Sequence, residues 1–222
     1  VWEQFAEPVT LTVGAGESLE EVWLPTSDDV QLRRVQLALG ESAKARIFAL
    51  NTAPVYGRIE LDVSLAAGAD FELYGANIGN GLSTNEFVTN VRHLGVGGRS
   101  RQTIRSVLNG KAVGSYLGKV EVARGAQQTD AEQSVKAMLL DRGATANAKP
   151  ELEIFADDVK CAHGATVGEL DAMQLFYAES RGLDPASARA LLLEGFVMGL
   201  WDGANESDAI CEAARDALRR VV

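Results

Sequence analysis

Hydrophobic and polar residues alternate without error from Arg58 to Leu65, which puts Ile59, Leu61, Val63 and Leu65 on one face of an extended strand. Similar runs occur at 9–13, 35–39, 45–50, 103–108, 118–122 and 152–155. The breaks between runs carry Gly, Asn and Asp, residues that tolerate tight or left-handed backbone. Asn77, Gly79, Asn80 and Gly81 mark one break, and Asn109-Gly110 marks another. Helical spacing is almost missing before residue 166.

The breaks also recur as a phrase. An apolar residue, two spacers and a glycine appear in Val13-Gly14-Ala15-Gly16, Leu37-Ala38-Leu39-Gly40, Leu65-Ala66-Ala67-Gly68, Leu94-Gly95-Val96-Gly97, Val122-Ala123-Arg124-Gly125, Leu140-Asp141-Arg142-Gly143 and Cys161-Ala162-His163-Gly164. From Gly40 onward the glycines step by 28, 29, 28, 18 and 21 residues. A repeated strand–turn unit can bury its apolar face only against its neighbours, so the pattern predicts an all-β solenoid over residues 1–166 with glycines at its corners.

From residue 167 the period changes. Met173, Phe176 and Tyr177 fall at helical spacing within Asp171–Ser180, and Gly182 is a natural stop. Asp184-Pro185 predicts a start, with Asp accepting free amide hydrogens and Pro at the first helical position. The helix it opens, 186–200, presents Leu191, Leu192, Phe196 and Leu200. A third, 209–221, carries Ile210, Ala214, Leu218 and Val221 on one stripe. The expectation is a β-solenoid followed by a small C-terminal helical domain, residues 167–222. Val197, Met198 and Trp201 exceed what three short helices need to bury among themselves. They are expected to pack on the last rung or on each other, or else to form a docking groove.

Composition narrows the function. The formal charge is −10, from 31 acidic and 21 basic residues, which argues against a nucleic-acid partner. The tail holds ten acids against five bases, so its net negative charge per residue is about three times that of the rest. No run approaches a membrane span of about 18 apolar residues. Val1-Trp2-Glu3-Gln4 has no Met and no charged-then-apolar leader, so no signal peptide is expected and the chain reads as a piece of a longer one. Two cysteines, Cys161 and Cys211, do not make a disulfide framework, and a reduced, cytoplasmic setting is expected.

Cys161 and His163 lie two apart, so both side chains point to the same side if the segment is extended. A thiolate and an imidazole suit zinc, copper or an iron–sulfur cluster, yet a structural zinc needs four ligands and His93 and Cys211 are isolated. Three readings stand: half of a metal or cluster site completed by another chain, an ordinary thiol beside a hydrogen-bonded imidazole, or a nucleophile–base pair with no oxyanion donor in view. Asp157-Asp158 point to opposite strand faces and read as a corner rather than as an acid–base pair of a polysaccharide-cleaving β-helix. Leu94-Gly95-Val96-Gly97-Gly98 lacks the Lys-Ser/Thr and the helix of a phosphate loop.

The run Gly125-Ala126-Gln127-Gln128-Thr129-Asp130-Ala131, then Leu139-Leu140, then 149–168 with Asp157-Asp158-Val159-Lys160-Cys161-Ala162-His163-Gly164-Ala165-Thr166, and finally Leu175-Phe176-Tyr177 and Ser180-Arg181-Gly182, closely resembles the SufB/SufD family. The Lys-Cys-x-His-Gly form is similar to the SufD branch rather than the SufB branch, which has Glu-His-Glu-Ala here. The resemblance implies a right-handed parallel β-helix followed by a helical domain. It implies a non-catalytic scaffold for iron–sulfur cluster assembly that pairs with a SufB-like paralogue through the β-helix and docks a SufC-like ABC-type ATPase through the helices. It further implies that His163, and less directly Cys161, are cluster-related residues at the SufB interface. The cluster would be held only transiently in the complex, with none tightly bound to the isolated chain. Family members are about twice as long and begin with a helical region that has no counterpart in this chain. Left alone, the chain is expected to be able to pair with itself through the same surface. A polysaccharide-active β-helix enzyme and a purely structural module are the alternatives.

Overall fold

The computed structural model describes residues 7–26 and 28–222; Val1-Trp2-Glu3-Gln4 lie outside them. The strands are β1 (Val9–Val13), β2 (Ser18–Trp23), β3 (Val30–Leu39), β4 (Lys44–Asn51), β5 (Tyr56–Leu65), β6 (Asp70–Gly79), β7 (Thr84–His93), β8 (Arg99–Leu108), β9 (Val113–Val122), β10 (Asp130–Leu139), β11 (Thr145–Ile154) and β12 (Lys160–Glu169). Odd strands stack into one parallel sheet, β1-β3-β5-β7-β9-β11, and even strands into another, β2 to β12 in steps of two. Each turn of this parallel β-helix is therefore two strands and two corners.

Side chains meet like on like because the register is continuous. Leu37, Val63, Val91 and Val120 form one ladder through β3, β5, β7 and β9, and all are buried. Ile47 and Leu73 face them from the other sheet. The alternation from Arg58 to Leu65 is thus the local record of a two-walled core, one residue in and the next out.

Corners stack as the strands do. Ser42 N–H donates to Ala67 O, Gly68 N–H to Val96 O and Gly97 N–H to Gln127 O, each at 2.8 Å. Gly68 and Gly97 take φ of +65° and +71°, while Ser42 and Gln128 hold the same left-handed conformation with side chains attached. Gly16, Gly40, Gly68, Gly97 and Gly125 all fall between an odd strand and the next even one, as predicted. Two other glycines do not. Gly143 sits at the opposite corner, between β10 and β11, and Gly164 lies inside β12. The change of spacing to 18 and 21 residues records this: it no longer equals one turn. Asn77 and Gly79 likewise belong to β6, and the break there begins at Asn80.

After β12 come α1 (Ala172–Ser180), α2 (Pro185–Val197), a 3₁₀ turn (Met198–Trp201) and α3 (Ser207–Arg219). Asp184 Oδ1 accepts from Ala186 N–H at 3.0 Å, so the predicted cap forms, and Asp171 Oδ1 caps α1 in the same way, accepting from Met173 N–H at 2.7 Å. The helices do not close the end of the solenoid, however. They fold back and pack on the outer face of the even sheet, where Leu193, Val197, Trp201, Ile210 and Leu218 meet Phe48, Leu50, Ala76, Ile78 and Val107. Of the expected stripe Leu200 is buried and Phe196 packs against this cluster, but the buried face is rotated away from Leu191. Ala188, Leu193 and Val197 are buried, whereas Leu191 is 56% exposed. Trp201→Ala is expected to cost about 3–5 kcal/mol and Leu191→Ala less than about 0.5 kcal/mol, both measured by urea denaturation.

Candidate functional site

The interior ladders of the even sheet end at β12. Ala45, Phe71, Ser100 and Ala131 lead to Cys161, and Ile47, Leu73, Gln102 and Gln133 lead to His163. Cys161 and His163 therefore do share one face, and it is the face that lines the core in every earlier rung. At β12 no rung follows among the described residues, so the core opens here. His163 is exposed on this open end, and Cys161 is half-buried against the last of the core.

The two groups differ chemically. Burial pushes the Cys161 thiol up from its ordinary value, and the nearby Asp130 carboxylate adds to the shift against a backbone hydrogen bond from Ala131. A thiol held protonated is a poor nucleophile, which disfavours the nucleophile–base pair. Among the described residues no group of three or more His, Cys, Asp or Glu stands together to hold a metal ion, and the pair alone falls short of the four ligands of a structural zinc.

The other candidates resolve into structure. Asp157 and Asp158 are exposed at the β11–β12 corner, where Asp158 N–H donates to Gln127 Oε1 at 2.9 Å and Asp158 O accepts from Gln128 N–H at 2.6 Å. Acids on the solenoid walls are tied across rungs: Glu60 with Arg34, Glu86 with Arg58, Asp62 with Arg92 and Glu132 with Arg101. None of these pairs presents two free carboxylates to a shared groove, as a glycosidase needs. At Gly95 a Cβ would lie 2.3 Å from Ala67 N, so that glycine lets two corners stack.

One polar feature has no counterpart in the sequence reading. Tyr116, on β9, is buried and reaches across the core between the sheets. Its hydroxyl accepts from Gln133 Nε2 at 2.8 Å, donates to Gln102 Oε1 at 3.1 Å and lies 3.3 Å from Thr89 Oγ1. Burial pushes the phenol up to about 12, so it stays protonated. Gln102, Gln133 and His163 recur at one-turn spacing, and that regularity was the available signal.

A second surface lies on the helices. Met173, Phe176 and Tyr177 of α1 are 72%, 66% and 60% exposed. Met173, Tyr177, Leu183, Leu191 and Leu192 line an apolar groove of about 470 Å³ between α1 and α2. Arg181 sits over the Tyr177 ring at 5.0 Å.

Comparison with known proteins agrees with this architecture. The family model described as SUF system FeS cluster assembly, SufBD core domain, matches residues 10–196. Protein ABCI7, chloroplastic, of Arabidopsis thaliana is 46% identical over 102 residues, 45% of this chain and 21% of that protein. The iron-sulfur cluster assembly SufBD family protein slr0076 of Synechocystis is 31% identical over 180 residues, 80% of this chain and 39% of that protein. The iron-sulfur cluster assembly protein SufD of Escherichia coli is 39% identical over 101 residues, 46% and 24% respectively. The chain thus spans well under half the length of these relatives. Among the described residues no helix is long and apolar enough to cross a membrane.

The second histidine is structural. His93 occupies the ladder Leu39–Leu65–His93–Val122, fully buried, with Nε2 2.9 Å from Ser100 Oγ. Burial pushes its pKa down from 6.5 to about 4. The unfolded chain therefore takes up this proton first as pH falls, and stability present above pH 6.5 is lost on the way to pH 4, on the order of 3 kcal/mol in all. Urea denaturation at pH 7 and 4.5 is expected to show a smaller loss for His93→Gln than for the unsubstituted chain. An equal loss would remove His93 from the acid response.

Proposed function

Because the chain belongs to the SufBD family of the SUF iron–sulfur cluster assembly system, we propose that it is a non-catalytic scaffold which completes an assembly site only together with a second, SufB-like chain. The observation that carries the reading is the open last rung: β12 has no outer neighbour among the described residues, and His163 stands on it at the mouth of the core. An unpaired strand presents a row of free N–H and C=O groups, which a further strand can extend. Pro150 interrupts the donor row of the companion edge, β11, whereas β12 has no proline and carries small residues at Ala162, Gly164 and Gly168. The SufB-like chain is therefore proposed to add to β12, covering His163 and Cys161 and contributing the missing donors. The cluster is the cargo of that shared site. His163, exposed on the last rung, is the proposed donor, and Cys161, whose thiol is held protonated, is proposed to shape the wall beside it.

The groove between α1 and α2 is proposed to dock the SufC-like ATPase. Its apolar lining lies on the face that the solenoid leaves uncovered, and a motor bound there would pull on the element that follows β12 directly.

In the complex with SufB-like and SufC-like partners, His163→Ala is expected to cut anaerobic cluster reconstitution at least tenfold while the complex still co-purifies. Undiminished reconstitution would remove His163 from the mechanism. Tyr177→Asp with Leu191→Asp is expected to abolish ATPase co-purification without lowering the melting temperature. Retention of the ATPase would place its dock elsewhere. The open β12 edge also fits a second copy of the chain, which light scattering at high concentration would reveal as a dimer.

A further inference from the structure

We propose that Gln133 is a positioning residue for His163: its side-chain carbonyl accepts a hydrogen bond from a ring N–H and so leaves the other ring nitrogen as the electron-pair donor. The inference rests on His163 being the functional residue.

Gln133 is 1% exposed, yet its Oε1 has no hydrogen-bond partner. Its Nε2 is committed to the Tyr116 hydroxyl at 2.8 Å, which clamps the amide from the opposite sheet and leaves the carbonyl as its free end. A buried carbonyl without a donor is unfavourable, so the group is set to take one. Two residues flank Gln133 in its ladder. On the inner side Gln102 gives its carbonyl to Tyr116 and its Nε2 makes no bond to Gln133; the exposed His163 ring makes none either in this structure, so the proposed bond requires the imidazole to turn inward onto the carbonyl. On the outer side stands His163, in register on β12 and facing the same way. Parallel neighbours are about 4.8 Å apart along a ladder, a span that two polar side chains can bridge. The same solenoid shows this: Asn51 and Asn77, in register on β4 and β6, are joined at 3.1 Å.

An imidazole has one N–H and one lone pair when neutral, and the partner of the N–H decides which nitrogen keeps the lone pair. A donor histidine whose other nitrogen is held by a carbonyl has its ring orientation set as well. Gln133, Tyr116 and Gln102 thus convert a loose surface histidine into one with a defined free nitrogen. A covering chain would strengthen the bond by excluding water.

The chain contains only two histidines, so histidine labelled with ¹⁵N gives two ring systems. Long-range ¹H–¹⁵N spectra at pH 8, taken on the chain alone and with the unlabelled SufB-like partner, report the tautomer of each. His163 is expected to show a single dominant tautomer in at least one of these states, and Gln133→Met to return it to the solvent-averaged mixture while the His93 signals stay in place. Tyr116→Phe keeps the ring packing but releases the clamp, and is expected to move His163 the same way if Gln133→Met does not fold. Cluster reconstitution by Gln133→Met is expected to fall at least fivefold with the complex intact. An averaged His163 in both states, or one unmoved by either variant, would overturn the proposal. A tautomer set by Gln133 together with normal assembly by His163→Ala would keep the positioning and overturn the functional reading instead.

Discussion

Everything in this molecule depends on like residues stacking on like, one turn of chain above another. A single strand of the solenoid has one apolar face and no means of burying it. Burial comes from the opposite wall and from the rungs above and below, and it is lost if the register slips by one residue. The ladder Leu37–Val63–Val91–Val120 shows the constraint satisfied four times over. The corners obey the same rule, with backbone amides such as those of Ser42, Gly68 and Gly97 donating to carbonyls of the next turn. Such a structure has no intrinsic end. Wherever it stops, a rung with an open edge and an uncovered core results.

The C-terminal helices leave that end free. By folding back onto the outer face of the even sheet, they bury Trp201 and Val197 against rungs laid down more than a hundred residues earlier. One consequence is an apolar groove turned away from the β-helix, and the other is a last strand with no neighbour beyond it among the described residues. The two surfaces have different chemistry. The groove is lined by Met, Leu and Tyr, whereas β12 offers main-chain groups, small residues and an imidazole. That division fits two different partners better than one.

Polar groups in the core follow the ladders too. Gln102, Gln133 and Tyr116 tie the two walls together where the interior changes from aliphatic to mixed, and this tie lies one rung inside His163. A buried polar network is costly unless its members are paired, so its position beside the open end is informative. His93 marks the opposite use of the same side chain. Buried between Leu65 and Val122 in its ladder, bonded to Ser100 and held neutral by burial, it belongs to the closed core.

The alternation of Val, Ile and Leu, the spacing of glycines by one turn and the cap at Asp184 were legible in the chain itself, because each is set by local backbone geometry. So was the shared face of Cys161 and His163, since side chains two apart on a strand must agree. Other features were not. The change of spacing after Gly125 gave no hint of which glycine turned a corner, and Gly164 proved to be mid-strand. The buried face of α2 depended on a sheet distant in sequence, so helical periodicity placed Leu191 on the inner stripe, where it remains exposed, while Val197 and Trp201, surplus to the helices alone, found their partner only in that sheet. Whether Cys161 and His163 faced a closed core or an open one could be decided only by the stacking of rungs. Local sequence specifies which way a side chain points, but what lies beyond it is decided by whether another turn of the chain is there to cover it.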